Sequence, residues 1–256
     1  MIDTHAHVHD PAFDEDRATV VARAKANGVT QIVTVGCDLR DSERALAAAC
    51  TFDLAWTLGV HPHEAKNAPA DLAAAFDAQL AGVERRPLAI GETGLDFYYD
   101  YSPRDVQRRV FEAQLDYARD LSLPLVFHLR DAFEDFVAIM RRRKFAGMRA
   151  VVHCFTGDSA QARLLTGEFG LFLGIGGVAT FKTAEPLREA VRAVGIDAIV
   201  FETDAPYLAP VPERGKRNEP AFVRHTAAHV AQLLGLPLDD AVAAADRNAH
   251  AVFGPF

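Results

Sequence analysis

The chain has 256 residues, half of them hydrophobic and 24% charged, with a net charge of −8. That length and apolar share suffice for one large α/β barrel or two small domains, and they argue against disorder. The acidic balance excludes a protein that grips nucleic acid through a broad basic footprint, so any such attraction must be local, through metal ions and a few Arg and Lys near a site.

No run of about 18 apolar residues suggests a transmembrane helix. The opening MIDTHAHVHD has neither a basic n-region nor an apolar h-region. Cys37, Cys50 and Cys154 are an odd, sparse set without CxxC spacing, which argues against a disulfide scaffold and against a cysteine zinc site. The expectation is a cytoplasmic protein, with a monomer as the default.

Short β-like runs fall at residues 2–4, 30–35, 55–58, 88–90, 125–127, 150–152, 171–173 and 198–201. Helix-like sequence fills every gap between them. The runs are almost continuously apolar, as strands of a parallel sheet buried on both faces must be. Ser102-Pro103 opens a helix, with Ser as N-cap and Pro in the first turn. Val106, Val110, Leu115 and Ala118 then share one face. Residues 218–234 and 238–252 read as two final helices. Eight βα units in about 250 residues predict a single (β/α)₈ TIM barrel over residues 1–256, with a short C-terminal helical extension. A doubly wound sheet would normally carry a Gly-rich loop after its first strand, where this chain carries His-x-His.

His5 and His7 sit two residues apart on a strand end and so project the same way, a good start for a divalent metal site. Glu92 follows the fourth run, His128 the fifth, His153 the sixth and Asp204 the eighth. TIM-barrel active sites are built at these carboxyl ends. Five strands each delivering a ligand-type side chain to one rim predict a metal centre. Mixed His and carboxylate donors suit Zn, Mn or similar ions. His61 and His63 follow the third run and are candidates either for phosphate contact or for loop-ordering hydrogen bonds. Arg214, Lys216 and Arg217 are the best local cationic cluster for phosphate. Tyr207 is a candidate for stacking on a base or for packing. His9 is read as a non-ligand, and Cys154 as a buried structural thiol. The run 141–144, Arg-Arg-Arg-Lys, is read as a helix C-terminus at the bottom of the barrel, where cations complement the dipole.

The segments DTHAH at 3–7, GVHPHEA at 59–65, GETGLDFYYD at 91–100, PLVFHLRDA at 124–132, HCFTGD at 153–158 and ETDAPYLAPVPERGKRNEP at 202–220 resemble the TatD family of metal-dependent DNases, among the amidohydrolase-like barrels. The resemblance runs nearly end to end. It implies two divalent ions (Zn, Mn or Mg): His5, His7, Glu92 and Asp204 at one, Glu92, His128 and His153 at the other, with Glu92 shared. It also implies DNA phosphodiester hydrolysis by an activated water, with Asp204 and Glu92 catalytic, on single strands or ends held at the barrel mouth. Arg130, in the family's His-x-Arg-Asp-Ala pattern, becomes a phosphate contact. Two alternatives remain at this point: an ester or amide hydrolase, such as a D-aminoacyl-tRNA deacylase, and a binding barrel without catalysis.

Overall fold

The computed structural model describes all residues, Met1–Phe256. Eight strands occur in chain order: β1 (Ile2–Ala6), β2 (Gln31–Val35), β3 (Ala55–Leu58), β4 (Ala89–Asp96), β5 (Leu125–Arg130), β6 (Ala150–Val152), β7 (Phe172–Ile175) and β8 (Ile199–Phe201). They form one eight-stranded sheet in the order β1 to β8. The pairs β1·β2, β3·β4, β4·β5, β6·β7 and β7·β8 are all parallel. Beyond the last strand, Ala205 bridges Ala6 at the end of the first. Each strand is followed by a helix: α1 (Arg17–Ala26), α2 (Leu39–Phe52), α3 (Leu72–Leu80), α4 (Arg104–Leu121), α5 (Phe133–Arg143), α6 (Ser159–Gly167), α7 (Glu185–Val194) and α8 (Val223–Leu234). One more, α9 (Leu238–Phe253), ends the chain. The fold is the expected (β/α)₈ barrel with a C-terminal helical addition. No helix is long and apolar enough to cross a membrane.

The chain divides into two compact units, residues 1–34 with 151–256, and residues 35–150. In the first, the N-terminal ammonium lies 3.3 Å from Asp246 on α9 and donates to the Gly28 carbonyl. This ties β1 to the C-terminal helix and fixes the strand that carries His5. In the second, Phe127 on β5 meets edge-on the stacked rings of Phe111 on α4 and Phe136 on α5, with centroids 5.3–5.6 Å apart. Such contacts contribute about 0.5–1.5 kcal/mol per pair beyond area burial. They lock the residue that precedes His128.

Two buried amides on α4 position the loops above the strands. Gln114 accepts from the Val60 N–H and donates to the Val60 carbonyl and to Thr93 Oγ1. Gln107 bonds both the N–H and the carbonyl of Asp96. A helix face that is otherwise apolar carries these two polar side chains because strand-end backbone must be satisfied once buried.

The structure departs from the sequence reading in places. β4 runs on to Asp96 rather than stopping at Ile90. Gly91 and Gly94, which lie beyond that run, are β4 residues at positive φ, 145° and 144°, where β5 comes close. A Cβ on Gly94 would collide with the His128 carbonyl. Ser102 does not cap α4; Pro103 holds the N-cap position and the helix starts at Arg104. The Ser102 hydroxyl instead accepts from Lys66 N–H and donates to the His63 carbonyl, so it holds the loop after β3. Arg141, Arg142 and Arg143 form the last turn of α5, as expected of that run, and Arg142 and Arg143 pair with Glu112.

Candidate metal centre

In the unit of residues 35–150, β3, β4 and β5 deliver His61, Glu92, Asp96 and His128. Asp96 is fully buried at the end of β4. Its Oδ1 accepts the backbone N–H groups of Tyr98 and Tyr99, and its Oδ2 lies 3.0 Å from His128 Nε2 and 2.9 Å from His63 Nε2. Burial opposes its charge, but the hydrogen bonds from His128, His63 and the backbone outweigh it and hold the carboxyl well below the usual carboxylate range. A carboxylate faces each ring nitrogen of His128, and with the ring proton on Nε2, toward Asp96, the other nitrogen is free to act as a donor atom for a metal. The His128 Nδ1 lone pair then points at Glu92 Oε1, 2.8 Å away. Two acceptors this close need a positive charge between them, either a proton or a cation. About 2.8–3.4 Å is also the spacing of neighbouring donors around one ion with bonds near 2.0–2.2 Å. The carboxylate–histidine pair is the usual way a protein aims such a ligand.

His61 converges on the same point, with Nε2 3.2 Å from His128 Nδ1 and 3.3 Å from Glu92 Oε1. Its Nδ1 accepts from the His63 N–H. Burial pulls its pKa down to about 4, so the ring is neutral, and its one proton must sit on Nε2. With that proton His61 donates to the Glu92 oxygen, and its donor atom lies within 4.8 Å of those of Glu92 and His128, a group able to hold a metal.

In the unit of residues 1–34 and 151–256, the ends of β1 and β8 are zipped together. Asp204 N–H donates to the His5 carbonyl and His7 N–H to the Ala205 carbonyl. Asp3 accepts from both the N–H and the hydroxyl of Thr203. Burial pushes the Asp3 carboxyl up to about 8, although the Thr203 bonds pull the other way. Asn218 bonds the Thr203 and Tyr207 carbonyls and holds the loop beyond. Asp204, in the left-handed region at φ 58°, thereby stands with Oδ1 3.5 Å from His7 Nε2 and 3.9 Å from His5 Nε2. Burial opposes its charge, yet the His7 hydrogen bond and the charges of His153 and His5 hold its carboxyl low. The His153 ring stacks on His5 at 3.7 Å, and its Nδ1 lies 3.3 Å from Glu202 Oε1.

Glu202 is fully buried; its Oε1 accepts from Cys154 N–H, and its Oε2 has no hydrogen-bond partner. Donor atoms of His5, His153 and Glu202 lie within 4.8 Å of one another. A buried carboxylate with one oxygen unsatisfied, beside imidazoles, fits a cation. The residues present therefore suit a divalent metal in both units.

The other candidates are placed as follows. His9 Nδ1 is 2.8 Å from Thr34 Oγ1, a buried bond that occupies the ring. Arg130 lies over the Tyr98 and Tyr99 rings. Tyr207 is exposed, edge-on to His7 with centroids 6.1 Å apart. The cationic cluster after β8 does not converge. Arg214 stacks on Phe181, Lys216 pairs with Glu213, and Arg217 makes two bonds to Asp16. Cys154 is half-buried, at φ 45°. Sequence reasoning missed Asp96 and Glu202. Each lies at even spacing from a residue that was singled out, Asp96 from Glu92 and Glu202 from Asp204, and period-two spacing was the signal that could have found them.

Residues 2–254 match the family model described as TatD related DNase. A Bacillus subtilis (strain 168) protein named uncharacterized metal-dependent hydrolase YabD is 37% identical over 255 residues, spanning 99% of this chain and 98% of that protein. An Erwinia amylovora protein named 3'-5' ssDNA/RNA exonuclease TatD is 37% identical over 263 residues, spanning 99% of this chain and 100% of that one. The crystal structure of YJJV, a TatD homologue from Escherichia coli K12, is similar with a TM-score of 0.92 at 26% identity, covering 100% of this chain and 98% of the other.

Proposed function

The chain belongs to the TatD related DNase family of metal-dependent hydrolases, and we propose that it hydrolyses phosphodiesters of single-stranded DNA from an end, as a cytoplasmic monomer with two divalent ions (Zn, Mn or Mg). The observation that carries this reading is the aim of the donors. Asp96 turns the His128 Nδ1 lone pair onto the Glu92 oxygen at 2.8 Å, an arrangement that only a proton or a cation satisfies. The name of the Erwinia amylovora relative supports the choice of substrate and of an end-directed mode.

The ligands we propose are His5, His7, His153 and Asp204 in one unit, and Glu92 and His128 in the other. A bound divalent ion supplies Lewis-acid polarisation of a phosphoryl oxygen and a nucleophilic hydroxide at neutral pH. The chain's own groups do the rest. Asp204, kept ionised by its histidine neighbours, would orient the attacking water and accept its proton. His61 presents an Nε2 proton that steadies the Glu92 oxygen. Asp96 fixes the ring of His128 and takes no part in the chemistry itself.

The test uses 5′- and 3′-labelled oligonucleotides, single-stranded and duplex, before and after chelation and metal repletion. We expect stepwise loss of nucleotides from a single-stranded end that stops with chelator and returns with Mn or Zn. Asp204→Asn should keep the fold and lower turnover at least about a hundredfold. Robust hydrolysis by metal-free protein, or cleavage of an aminoacyl-tRNA ester with no action on DNA, refutes the reading.

A further inference from the structure

The loop that leaves β4 carries three of the chain's five tyrosines within four residues. Tyr98, Tyr99 and Tyr101 are 57%, 44% and 56% exposed. Exposed aromatic rings usually sit on loose or partly covered backbone; here the backbone is fixed. Asp96 Oδ1 accepts from Tyr98 N–H and Tyr99 N–H, and Lys66 Nζ donates to the Tyr101 carbonyl. Arg104 bonds Asp100 through two nitrogens and clamps the turn. A rigid loop that holds rings out in water gains no burial from them, so their use lies outside the chain.

Their mutual geometry is ordered. Tyr99 and Tyr101 are stacked, with centroids 5.2 Å apart and planes at 22°, and Tyr98 meets Tyr99 edge-on at 4.8 Å. The Arg130 guanidinium lies 4.1 Å from the Tyr98 centroid and 4.8 Å from that of Tyr99. On the inner side, His63 touches Tyr99 and Tyr101 edge-on, and its Nε2 shares Asp96 Oδ2 with His128. The π surface therefore continues from the half-buried His63 and His128 to the outside of the same unit.

Charge decides what this surface holds. The chain is acidic overall, and the cations that follow β8 are taken up by Glu213, Asp16 and the Phe181 ring. Phosphate attraction is therefore a weak source of grip. Planar rings with an interleaved guanidinium bind unpaired bases through their faces, largely without regard to sequence. Paired bases in a duplex have no free face to offer.

We propose that Tyr98, Tyr99 and Tyr101, with Arg130, form a base-stacking platform for the unpaired bases of a single-stranded nucleic acid. This rests on the nuclease reading for its setting, but it is tested separately. The readout is equilibrium binding in the presence of chelator, by fluorescence anisotropy, to labelled oligothymidylate and to the same strand with abasic residues. The proteins are wild type, the triple variant Tyr98→Ala/Tyr99→Ala/Tyr101→Ala, and a second triple variant with leucine at the same positions, which keeps apolar bulk without π faces. Circular dichroism and thermal unfolding establish that each is folded.

Wild type should bind the base-bearing strand roughly ten- to a hundredfold more tightly than the abasic one. Both variants should bind the two strands equally, at the abasic level. Wild type should also prefer single strand to duplex, with a shallow salt dependence. Equal binding of base-bearing and abasic strands by wild type, or full affinity in the alanine variant, overturns the platform. Self-association lost with the tyrosines, without an effect on oligonucleotide binding, overturns it in favour of an interface between copies. Absence of cleavage with intact stacking would sink the nuclease reading alone.

Discussion

Asp96→Asn isolates the positioning argument at β4 and β5. The carboxylate accepts four hydrogen bonds, two backbone N–H groups at Oδ1 and two imidazole Nε2–H groups at Oδ2. Asparagine has one oxygen and one NH₂, so it can keep only one of these pairs. If its oxygen stays on the Tyr98 and Tyr99 amides, the NH₂ faces both imidazoles, and each ring must become an acceptor at Nε2. The His128 proton then moves to Nδ1, where it donates to Glu92 Oε1. If the amide is turned round, the NH₂ faces two buried backbone donors, at a cost of about 1–3 kcal/mol for each group left unmade. The tautomer change is the cheaper response. It leaves the apo protein nearly as stable but removes the lone pair that His128 aims at Glu92. Loss of such an orienting partner typically costs 10–100-fold in metal affinity, or about 1.4–2.8 kcal/mol. Zinc or manganese titration against a competing chelator measures the loss, ¹⁵N-histidine NMR of the apo protein reports the tautomer, and thermal unfolding checks the fold. Wild-type metal affinity in the variant, with the His128 proton still on Nε2, would refute the reasoning.

Gly94→Ala adds a Cβ that meets the His128 carbonyl at a backbone φ of 144°. The loss should reach about 3 kcal/mol or more in urea unfolding, because neither strand can yield without breaking the pairing that holds His128; a change below about 1 kcal/mol contradicts the close approach. Glu112 has a pH signature. Burial opposes its charge, but the bonds from Arg143 and Arg142 outweigh it and lower its folded pKa. Its stabilisation is therefore present above the unfolded value of about 4.3 and is lost as pH falls through the folded one. On acidification from about pH 5 to pH 3, Glu112→Gln should lose less stability than wild type, by no more than about 1 kcal/mol for so partly exposed a network. Identical pH slopes for the two proteins would remove the pair from the account.

The barrel was legible because its strands are short apolar runs between amphipathic helices; residues 55–58 and 150–152 are strands with those same bounds. β4 was cut short because its apolar run ends at Ile90, and Gly91 and Gly94 lie beyond it. The need for them is the proximity of the β5 backbone, which no local pattern encodes. Ser102-Pro103 misled in the opposite way, since a capping signature was present but the hydroxyl was claimed by the loop after β3. The metal-type residues were legible because a strand end is a position that sequence can locate. Asp96 and Glu202 were not singled out, since nothing local distinguishes a carboxylate that aims a histidine from one that faces water. The contacts of Arg214 and Arg217 were not legible for a related reason: Phe181 and Asp16, which engage them, are far away in the sequence.

A common logic links the buried acids. Asp96 takes His63 and His128, Glu202 lies against His153, and Asp204 faces His7 and His5. An imidazole left to itself can rotate and exchange tautomers, and a metal that binds it must pay to stop both. Where a carboxylate has already fixed the ring, that ordering is completed during folding. The arrangement has an opposite face, because carboxylates crowded into a buried site repel one another and resist desolvation. Asp3 shows the strain, with a carboxyl pushed up to about 8 by burial beside Glu202. A divalent cation beside His5 and His153 would also meet the Glu202 oxygen that has no hydrogen-bond partner. Metal binding should therefore raise the thermal unfolding midpoint of the chelated protein, and equal midpoints with and without Zn or Mn would contradict the pre-ordering of these rings.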